Sequence, residues 1–486
     1  MATKKDLVEA YSFSRRRLVT AFVSGAPGGR EVEPARPGRA IFGGIALAVL
    51  LIAGGAVLGV LKSPNFYDLA EEGLVSDKAS GADYAVLAVA GGEEGQTELR
   101  PLANITSAML LFGPALDPRE VSGEEIEKKD LGDPIGILDA PELPPQVADL
   151  VPTGWSACTG VVGAPPVGIK VDISAEPETT PTPDLSFVVR TVSGQLYLVA
   201  QSFVGAERGV ERAYAYPVPS GGSPDRVLRA VAGSEDSDAV TVPDAWITLF
   251  PAGRPLSLET FELDKAALRA PWALRDQVPG AGAAEVGDLL RVGSTLYLMT
   301  PDGTRELDEF SGALYQALQF PARDPFQVFE AGQVPATDIP DATRLDNAFW
   351  PTVVRDERPP TGQLCAQLDT PGGQPGVVLA TTEADSTASA VEVGVDDVDV
   401  AVDSGSGAFV QSGGWADGEG RAPVLVDARG YAYPVGPGEE TLNLGYADVD
   451  PVAVPQDWLD LFEPGVPLTI DAARCPPTSK PDGSCS

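Results

Sequence analysis

The 486-residue chain carries 34 Lys and Arg residues against 70 Asp and Glu residues, and it has no histidine. Without histidine, a Ser/His/Asp triad, a Cys/His dyad and a His-ligated metal site are excluded. A net charge of −36 also makes nucleic acid a poor partner, because so acidic a surface repels phosphate.

The chain begins with a basic tail, residues 1–39, which holds eight basic and four acidic side chains. Four apolar residues of this tail fall on one face of a helical wheel: Leu7, Tyr11, Leu18 and Phe22. A helix of this kind docks on partner subunits or lies on lipid headgroups, and the pattern favours neither use. The predicted docking residues are Arg15, Arg16, Arg17, Leu18 and Phe22.

Residues 40–61 form an apolar run of 22 residues without one charged side chain. As a helix rising about 1.5 Å per residue, this run covers the roughly 30 Å of a bilayer core. A buried helix of a soluble domain and a cleaved signal peptide are the alternatives, but the apolar part of a signal peptide is usually only about 7 to 15 residues long. We therefore predict one transmembrane helix in the plasma membrane. Lys and Arg near a span are retained inside, so the basic tail is expected in the cytoplasm and the C-terminal domain outside it.

The rest of the chain shows the composition of a β-rich domain. With 53 Gly and 45 Pro residues, the sequence favours many short strands joined by tight turns. We therefore predict a mainly β ectodomain with short helices.

This ectodomain contains an internal duplication. The sequence Tyr-Ala-Tyr-Pro-Val occurs at 214–218 and again at 431–435. A second motif, Val-Pro-x-x-Trp-x-x-Leu-Phe, occurs at 242–250 and 454–462. The spacing predicts two repeat halves, 62–275 and 276–474, related by a pseudo-two-fold axis and followed by a C-terminal tail, 475–486.

The four cysteines are expected to form disulfides, because an exported domain folds in an oxidising compartment. Cys158 and Cys365 follow matching Pro-Thr-Gly sequences, and equivalent positions of two repeats meet where they lie near the axis. We predict a bond between them, with two buried free thiols as the alternative. Cys475 and Cys485 of the tail are the other expected disulfide cysteines.

The sequence contains no residue set that predicts catalysis, cofactor binding or metal binding. None of the nine lysines lies in a Gly-Lys-Ser/Thr context, so a P-loop is excluded. Two acids at a suitable distance would serve a glycosidase, but a chain with 70 acids gives no specific signal for one. Trp246 and Trp458 are expected in short helices that fill the core, with a sugar-binding aromatic platform as the alternative. The acidic run 392–403 alternates with Val and is expected to be a half-exposed strand, with calcium binding as the alternative.

The tail sequence Tyr-Ser-Phe-Ser-Arg-Arg-Arg-Leu-Val-Thr-Ala-Phe at 11–22 is followed by one hydrophobic helix. A duplicated Pro/Gly-rich ectodomain with two distant cysteines comes next. Together these features resemble the EccB family, the membrane-anchored core subunit of actinobacterial type VII (ESX) secretion systems. The resemblance spans nearly the whole chain.

The resemblance implies an elongated ectodomain with a central β-rich core, flanking repeat domains in a quasi-two-fold arrangement and one disulfide. It also implies a complex with EccC, the motor ATPase, with EccD and EccE, and with further copies of the chain itself. We therefore expect a non-catalytic scaffold subunit without a cofactor, although EccB proteins are sometimes labelled ATPases. A membrane-tethered cell-wall hydrolase and a stand-alone sensor or adhesin are the alternatives.

Overall fold

The computed structural model describes most of the chain. The described residues are 3–24, 44–45, 47–52, 69, 71–89, 96–203, 211–221, 223–319, 325–331, 339, 342–344, 350–354, 361–370, 373–415 and 422–477. The chain divides into two compact units, Met1–Asp68 and Leu69–Ser486.

The first unit contains the helix α1 (Lys4–Ser24). The backbone N–H and the hydroxyl of Thr3 both donate to the Asp6 carboxylate, at 2.9 and 2.7 Å. This contact satisfies an N–H at the helix start and places a negative charge in the first turn, where the helix dipole favours it. The same hydrogen bonds lower the pKa of Asp6.

The predicted transmembrane segment, 40–61, lies mostly outside the described residues. Its described positions 44, 45 and 47–52 are helical. Within the part of the chain that the structure describes, no helix is both long enough and apolar enough to cross a membrane.

The second unit is mainly β, as the sequence predicted. Its first described strands are β1 (Gly73–Asp77), β2 (Asp83–Ala88), β3 (Thr97–Pro101), β4 (Arg119–Val121), β5 (Ser156–Cys158), β6 (Ile169–Ile173), β7 (Thr180–Pro181), β8 (Ser186–Thr191), β9 (Leu196–Phe203), β10 (Glu211–Val218), β11 (Val240–Val242) and β12 (Leu289–Val292). They are followed by β13 (Thr295–Thr300), β14 (Gly303–Leu307), β15 (Val328–Glu330), β16 (Ala342–Arg344), β17 (Gln363–Asp369), β18 (Gly376–Thr382), β19 (Val398–Val402), β20 (Ala408–Gly413), β21 (Pro423–Val426), β22 (Tyr431–Pro434), β23 (Ala453–Pro455) and β24 (Glu463–Pro464).

The helices of this unit are short. They are α2 (Ile105–Phe112), α3 (Gly123–Ile126), α4 (Pro224–Ala232), α5 (Asp244–Ile247), α6 (Glu309–Gln319), α7 (Glu439–Asn443), α8 (Gln456–Leu459) and α9 (Ile470–Arg474). Helix α2 is capped at its start and ended by a glycine. The Asn104 side chain accepts a hydrogen bond from the Ser107 N–H at the start, and Gly113 ends the helix with a φ of 88°.

Four of the five described sheets share one topology. In each, three consecutive antiparallel strands lead into a helix, and the next strand returns to pair in parallel with the first. These sheets are β1–β4, β8–β11, β12–β16 and β20–β24. Two of them fall within residues 62–275 and two within 276–474.

The fifth sheet is the central sheet, with strand order β19-β6-β5-β17-β18-β7. Its two middle strands, β5 and β17, are antiparallel, and each is flanked by its own hairpin partner. The edge strands cross between the halves of the sequence. Strand β19 pairs in parallel with β6, and β7 pairs with β18.

The largest hydrophobic core lies against one face of the central sheet. Trp246 of α5 and Trp458 of α8 are fully buried in it. Their indole nitrogens donate to the backbone oxygens of Ala157 at 2.9 Å and Leu249 at 3.1 Å. The predicted short core-filling helices are therefore confirmed, and buried rings cannot serve as a sugar platform.

Candidate functional site

The predicted docking residues all lie on helix α1, and all of them are exposed. Leu18 and Phe22 have 71% and 91% of their surface accessible, and Leu7 and Tyr11 are similarly open. Basic and apolar side chains on one exposed helix suit an anionic lipid surface or an acidic partner groove. Docking through Arg15, Arg16 and Arg17 stays a prediction.

A disulfide joins the two middle strands of the central sheet. Cys158 faces Cys365 across the antiparallel ladder, with the Cα atoms 4.0 Å and the sulfurs 2.06 Å apart. Both side chains are fully buried against Ala380 and Ala388. The predicted bond is therefore present, and it links positions separated by 207 residues.

The C-terminal cysteines are placed only in part. Cys475 is buried and disulfide-bonded, and its backbone oxygen accepts a hydrogen bond from the Gly136 N–H at 3.0 Å. Cys485 lies outside the described residues.

The face of the central sheet that carries the disulfide is polar. Lys170 of β6 lies opposite Cys158, and its ammonium group donates to the Asp399 carboxylate of β19 at 2.6 Å. The Ser174 hydroxyl donates to Asp403 at 2.9 Å, just beyond the same pair of strands. Each of these bonds joins positions 229 residues apart. They therefore hold the second half of the sequence to the first.

Asp172 of β6 is the buried carboxylate of this face, with 6% of its surface accessible. Burial raises its pKa, the negative charge of Asp403 raises it further, and Lys170 acts in the opposite sense. The charged form is thus disfavoured in the folded protein. Asp172 opposes Ser156 of β5, so it belongs to the polar row beside the disulfide.

A cavity of about 400 Å³ lies at the opposite edge of the central sheet. Its lining residues are Glu178, Thr180, Thr381, Thr382, Glu383, Asp385 and Ser386. It therefore holds more than the two acids that a hydrolase requires. The Glu178 carboxylate, however, accepts hydrogen bonds from the Thr387 N–H at 2.9 Å and the Ser386 hydroxyl at 3.0 Å, which lower its pKa. A general acid needs the opposite shift, so these contacts favour a structural role for Glu178.

The other buried carboxylates bind the backbone. Asp288 accepts from the N–H groups of Glu285 and Gln327, at 2.8 and 2.7 Å. Asp427 accepts from the N–H groups of Arg429 and Tyr431, at 3.0 and 3.1 Å. Within the described residues, no group of three or more Asp, Glu or Cys side chains is placed to hold a metal ion.

Comparison with known proteins identifies the family to which the chain belongs. A family model described as "Type VII secretion system ESX-1, transport TM domain B" matches residues 1–478. The chain belongs to this EccB family. It is 28% identical over 471 residues to the ESX-1 secretion system ATPase EccB1 of Mycolicibacterium smegmatis. This alignment covers 90% of this chain and 87% of the relative. It is 26% identical over 493 residues to the ESX-3 secretion system ATPase EccB3 of Mycobacterium tuberculosis, covering 93% and 86%.

Solved structures show the same fold. An EccB3 dimer from the ESX-3 core complex superposes with a TM-score of 0.61 at 18% identity, over 83% of this chain and 99% of that chain. A chain of an intact ESX-5 inner membrane complex gives a TM-score of 0.55 at 18% identity, over 99% and 96%.

Sequence reasoning missed the crossing of the edge strands in this EccB chain. The acidic run 392–403 was expected to be one half-exposed strand, but only Val398–Val402 is a strand and the residues before it form turns. Its partner β6 lies 229 residues away. The alternation of Val and Asp predicted the strand, but no local sequence pattern predicts a pairing partner so far away in the chain.

Proposed function

We propose that this chain is a structural subunit of a type VII (ESX) secretion complex, anchored in the membrane with its β-rich domain outside the cytoplasm. The observation that carries the proposal is the family match over residues 1–478, which takes in the basic tail, the apolar segment and the β-rich unit. Relatives of the same fold are part of an ESX-5 inner membrane complex and of its periplasmic assembly.

The proposed topology is a single pass. Residues 1–39 form the cytoplasmic tail and 40–61 the transmembrane helix. The length and apolarity of the segment and the basic residues before it support this arrangement.

The proposed ectodomain is an internal duplication, with halves at 62–275 and 276–474, a tail at 475–486 and a pseudo-two-fold axis. The matching motifs and the two sheets of one topology in each half support it. So does the pairing of Cys158 with Cys365, since equivalent positions of two repeats meet only near an axis. The second disulfide is proposed between Cys475 and Cys485.

The proposed partners are EccC, EccD, EccE and further copies of this chain. The names of the solved relatives support membership of an inner membrane complex and self-association, because they describe such a complex and a dimer. We place the contacts to the cytoplasmic parts of the partners, or to the adjacent lipid surface, on Arg15, Arg16, Arg17, Leu18 and Phe22.

The relatives are named ATPases. In this chain, no lysine stands in the Gly-Lys-Ser/Thr context of a P-loop. The Glu178 carboxylate of the cavity has a lowered pKa, whereas a catalytic acid needs a raised one. We therefore propose that it acts by assembly and that ATP hydrolysis belongs to the motor subunit.

The test is a charge reversal in the tail. In Arg15→Glu/Arg16→Glu/Arg17→Glu, three positive charges become negative, and each basic residue near an anionic surface contributes about 1 kcal/mol of binding. The matched control is Arg15→Lys/Arg16→Lys/Arg17→Lys, which keeps the charge. Co-purification from mild detergent, read by mass spectrometry, should lose the partner subunits in the Glu variant and retain them in the Lys variant.

Two checks accompany this test. The unfolding temperature of the β-rich domain should be unchanged, and protease protection in intact cells should show an unchanged topology, since the reversal also weakens the positive-inside signal. Retention of all partners by the Glu variant would reject the docking role of the arginines. Suppose that the purified chain hydrolyses ATP or cell-wall glycan and that replacing one carboxylate abolishes this activity. The proposal of a non-catalytic scaffold would then be wrong, and the protein would be an enzyme.

A further inference from the structure

One edge of the central sheet is unpaired within the described residues. Strand β19 is last in the strand order and has β6 as its neighbour on one side. In a parallel ladder, alternate residues turn their N–H and C=O groups toward the neighbouring strand, and the residues between them turn outward.

The direction of each residue in β19 follows from two hydrogen bonds. The Ile169 N–H donates to the Asp397 oxygen, and the Asp403 N–H donates to the Ile173 oxygen, both at 3.1 Å. Odd-numbered residues of β19 therefore face β6. The residues that point their backbone groups away from the sheet are Val398, Val400 and Val402.

The side chains along this edge have a regular chemistry. Val398 is 41% exposed, and Val400 and Val402 are half-buried against the largest core. The opposite face of the strand carries Asp399 and Asp403, both exposed. An added strand would thus meet β-branched apolar side chains on one face and carboxylates on the other.

The edge is also strongly acidic. Asp396 and Asp397 precede the strand, and Asp403 follows it. Lys170 pairs with Asp399 and leaves the excess negative charge at the two ends of the strand. Charged residues on an edge prevent indiscriminate strand pairing. A second copy of the same acidic edge is repelled, so the complementary occupant is basic.

We propose that β19 accepts an extended segment of another protein by strand addition, a segment in which β-branched apolar residues alternate with Lys or Arg. The backbone groups of the three outward valines would supply the hydrogen bonds, and the alternating side chains would supply the specificity. This contact is distinct from docking by helix α1. Its failure would leave the proposed scaffold function untouched.

The test uses synthetic peptides and the full-length chain in mild detergent. The probe is a fluorescent nine-residue peptide that alternates Val and Lys, and its control alternates Val and Glu. Binding is read by fluorescence anisotropy. Hydrogen exchange is measured residue by residue with mass spectrometry. It is compared between the Val400 N–H, which points away from the sheet, and the Ala401 N–H, which faces β6.

Two variants of one position separate backbone pairing from side-chain contact. Val398→Pro removes an outward N–H and leaves the ladder to β6 intact, since proline is tolerated on an open edge. Val398→Thr keeps both the N–H and the β-branched shape. The Val/Lys peptide should bind the Thr variant like the parent chain and the Pro variant at least about tenfold more weakly. A third variant, Asp396→Lys, leaves the strand itself unchanged and should also weaken binding.

The proposal is supported if the Val/Lys peptide binds and slows hydrogen exchange at the Val400 N–H. Exchange at the Ala401 N–H should be slow both with and without the peptide, and Val398→Pro should abolish the binding. Three results would each overturn the proposal. They are no binding of the Val/Lys peptide, equal binding of the Val/Glu peptide, and unchanged exchange at Val400 in the peptide complex. Should Val398→Pro fail to fold, unweakened binding to Asp396→Lys would overturn it as well.

Discussion

Removing the central disulfide should lower the stability of the β-rich unit more than any surface change. In Cys158→Ala/Cys365→Ala, the unfolded chain regains the freedom of a closed loop spanning 207 residues. In the chain-entropy model, a loop of this length contributes about 5 kcal/mol to stability. Both sulfurs are buried beside Ala380 and Ala388, so the lost packing adds to the effect.

The assay is urea unfolding followed by tryptophan fluorescence. Trp155, Trp246 and Trp458 are fully buried in the core against the central sheet, so their emission reports the unfolding of that region. The single variants Cys158→Ala and Cys365→Ala serve as controls. Each already breaks the bond, so the double variant should be little less stable than either single variant.

Additive effects of the two single replacements would show that the cysteines contribute separately, as buried thiols do. A loss of under about 1 kcal/mol in the double variant would refute the loop-closure reasoning. A native protein that loses the bond rapidly to dithiothreitol would contradict the complete burial of both sulfurs.

Two further predictions concern the central sheet and one repeat. Burial raises the folded pKa of Asp172 above its unfolded value, so its charge reduces stability at neutral pH and the loss fades as pH falls toward the unfolded value. Asp172→Asn should therefore raise the unfolding temperature at pH 7, as measured by scanning calorimetry. The gain should disappear near about pH 4, where the carboxyl group becomes protonated in both states. A gain that persists at this pH would reject the electrostatic cause. Gly253→Ala should lower the free energy of unfolding by about 1 to 3 kcal/mol, because the new Cβ would lie 2.2 Å from the ring of Tyr216. Gly282→Ala, where nothing lies within 4 Å, should have little effect, and equal urea midpoints for the two variants would contradict the steric argument.

Much of the fold could be predicted because its signals are local. The Trp motifs place a bulky apolar residue one turn after a proline, and each folded as a short buried helix, α5 or α8. The repeated Tyr-Ala-Tyr-Pro-Val sequence became a strand in both copies. The two copies differ in how deeply the first tyrosine is buried. Tyr214 is 2% exposed, whereas its counterpart Tyr431 is 37% exposed, because the core that covers Tyr214 includes residues of the next sheet.

The rest of the fold depends on distant contacts. Strand β7 consists only of Thr180 and Pro181, too short a segment to be predicted as a strand, and it forms because it pairs with β18. A lysine on a strand, such as Lys170, is expected to be exposed. Its side chain is nevertheless only 14% accessible, because it pairs with Asp399. In both cases the partner is about 200 or more residues away. Local patterns therefore predicted the elements and did not predict how they cross.

The crossed edge strands make the two sequence halves depend on each other. A fragment of residues 69–275 keeps β5 and β6 but loses their outer neighbours, β17 and β19. It would expose both sides of a short hairpin and half of the core that surrounds Trp246. We expect this fragment and the fragment 276–477 each to aggregate when expressed alone. Expressed together, they should form a soluble pair through β5 and β17, joined by the Cys158–Cys365 bond. That bond is visible as a band of combined mass on a non-reducing gel, and the band should vanish in Cys365→Ala. A fragment that stays soluble and monomeric alone, with cooperative unfolding of its own, would show that the halves fold independently and that the crossing strands are dispensable for the fold.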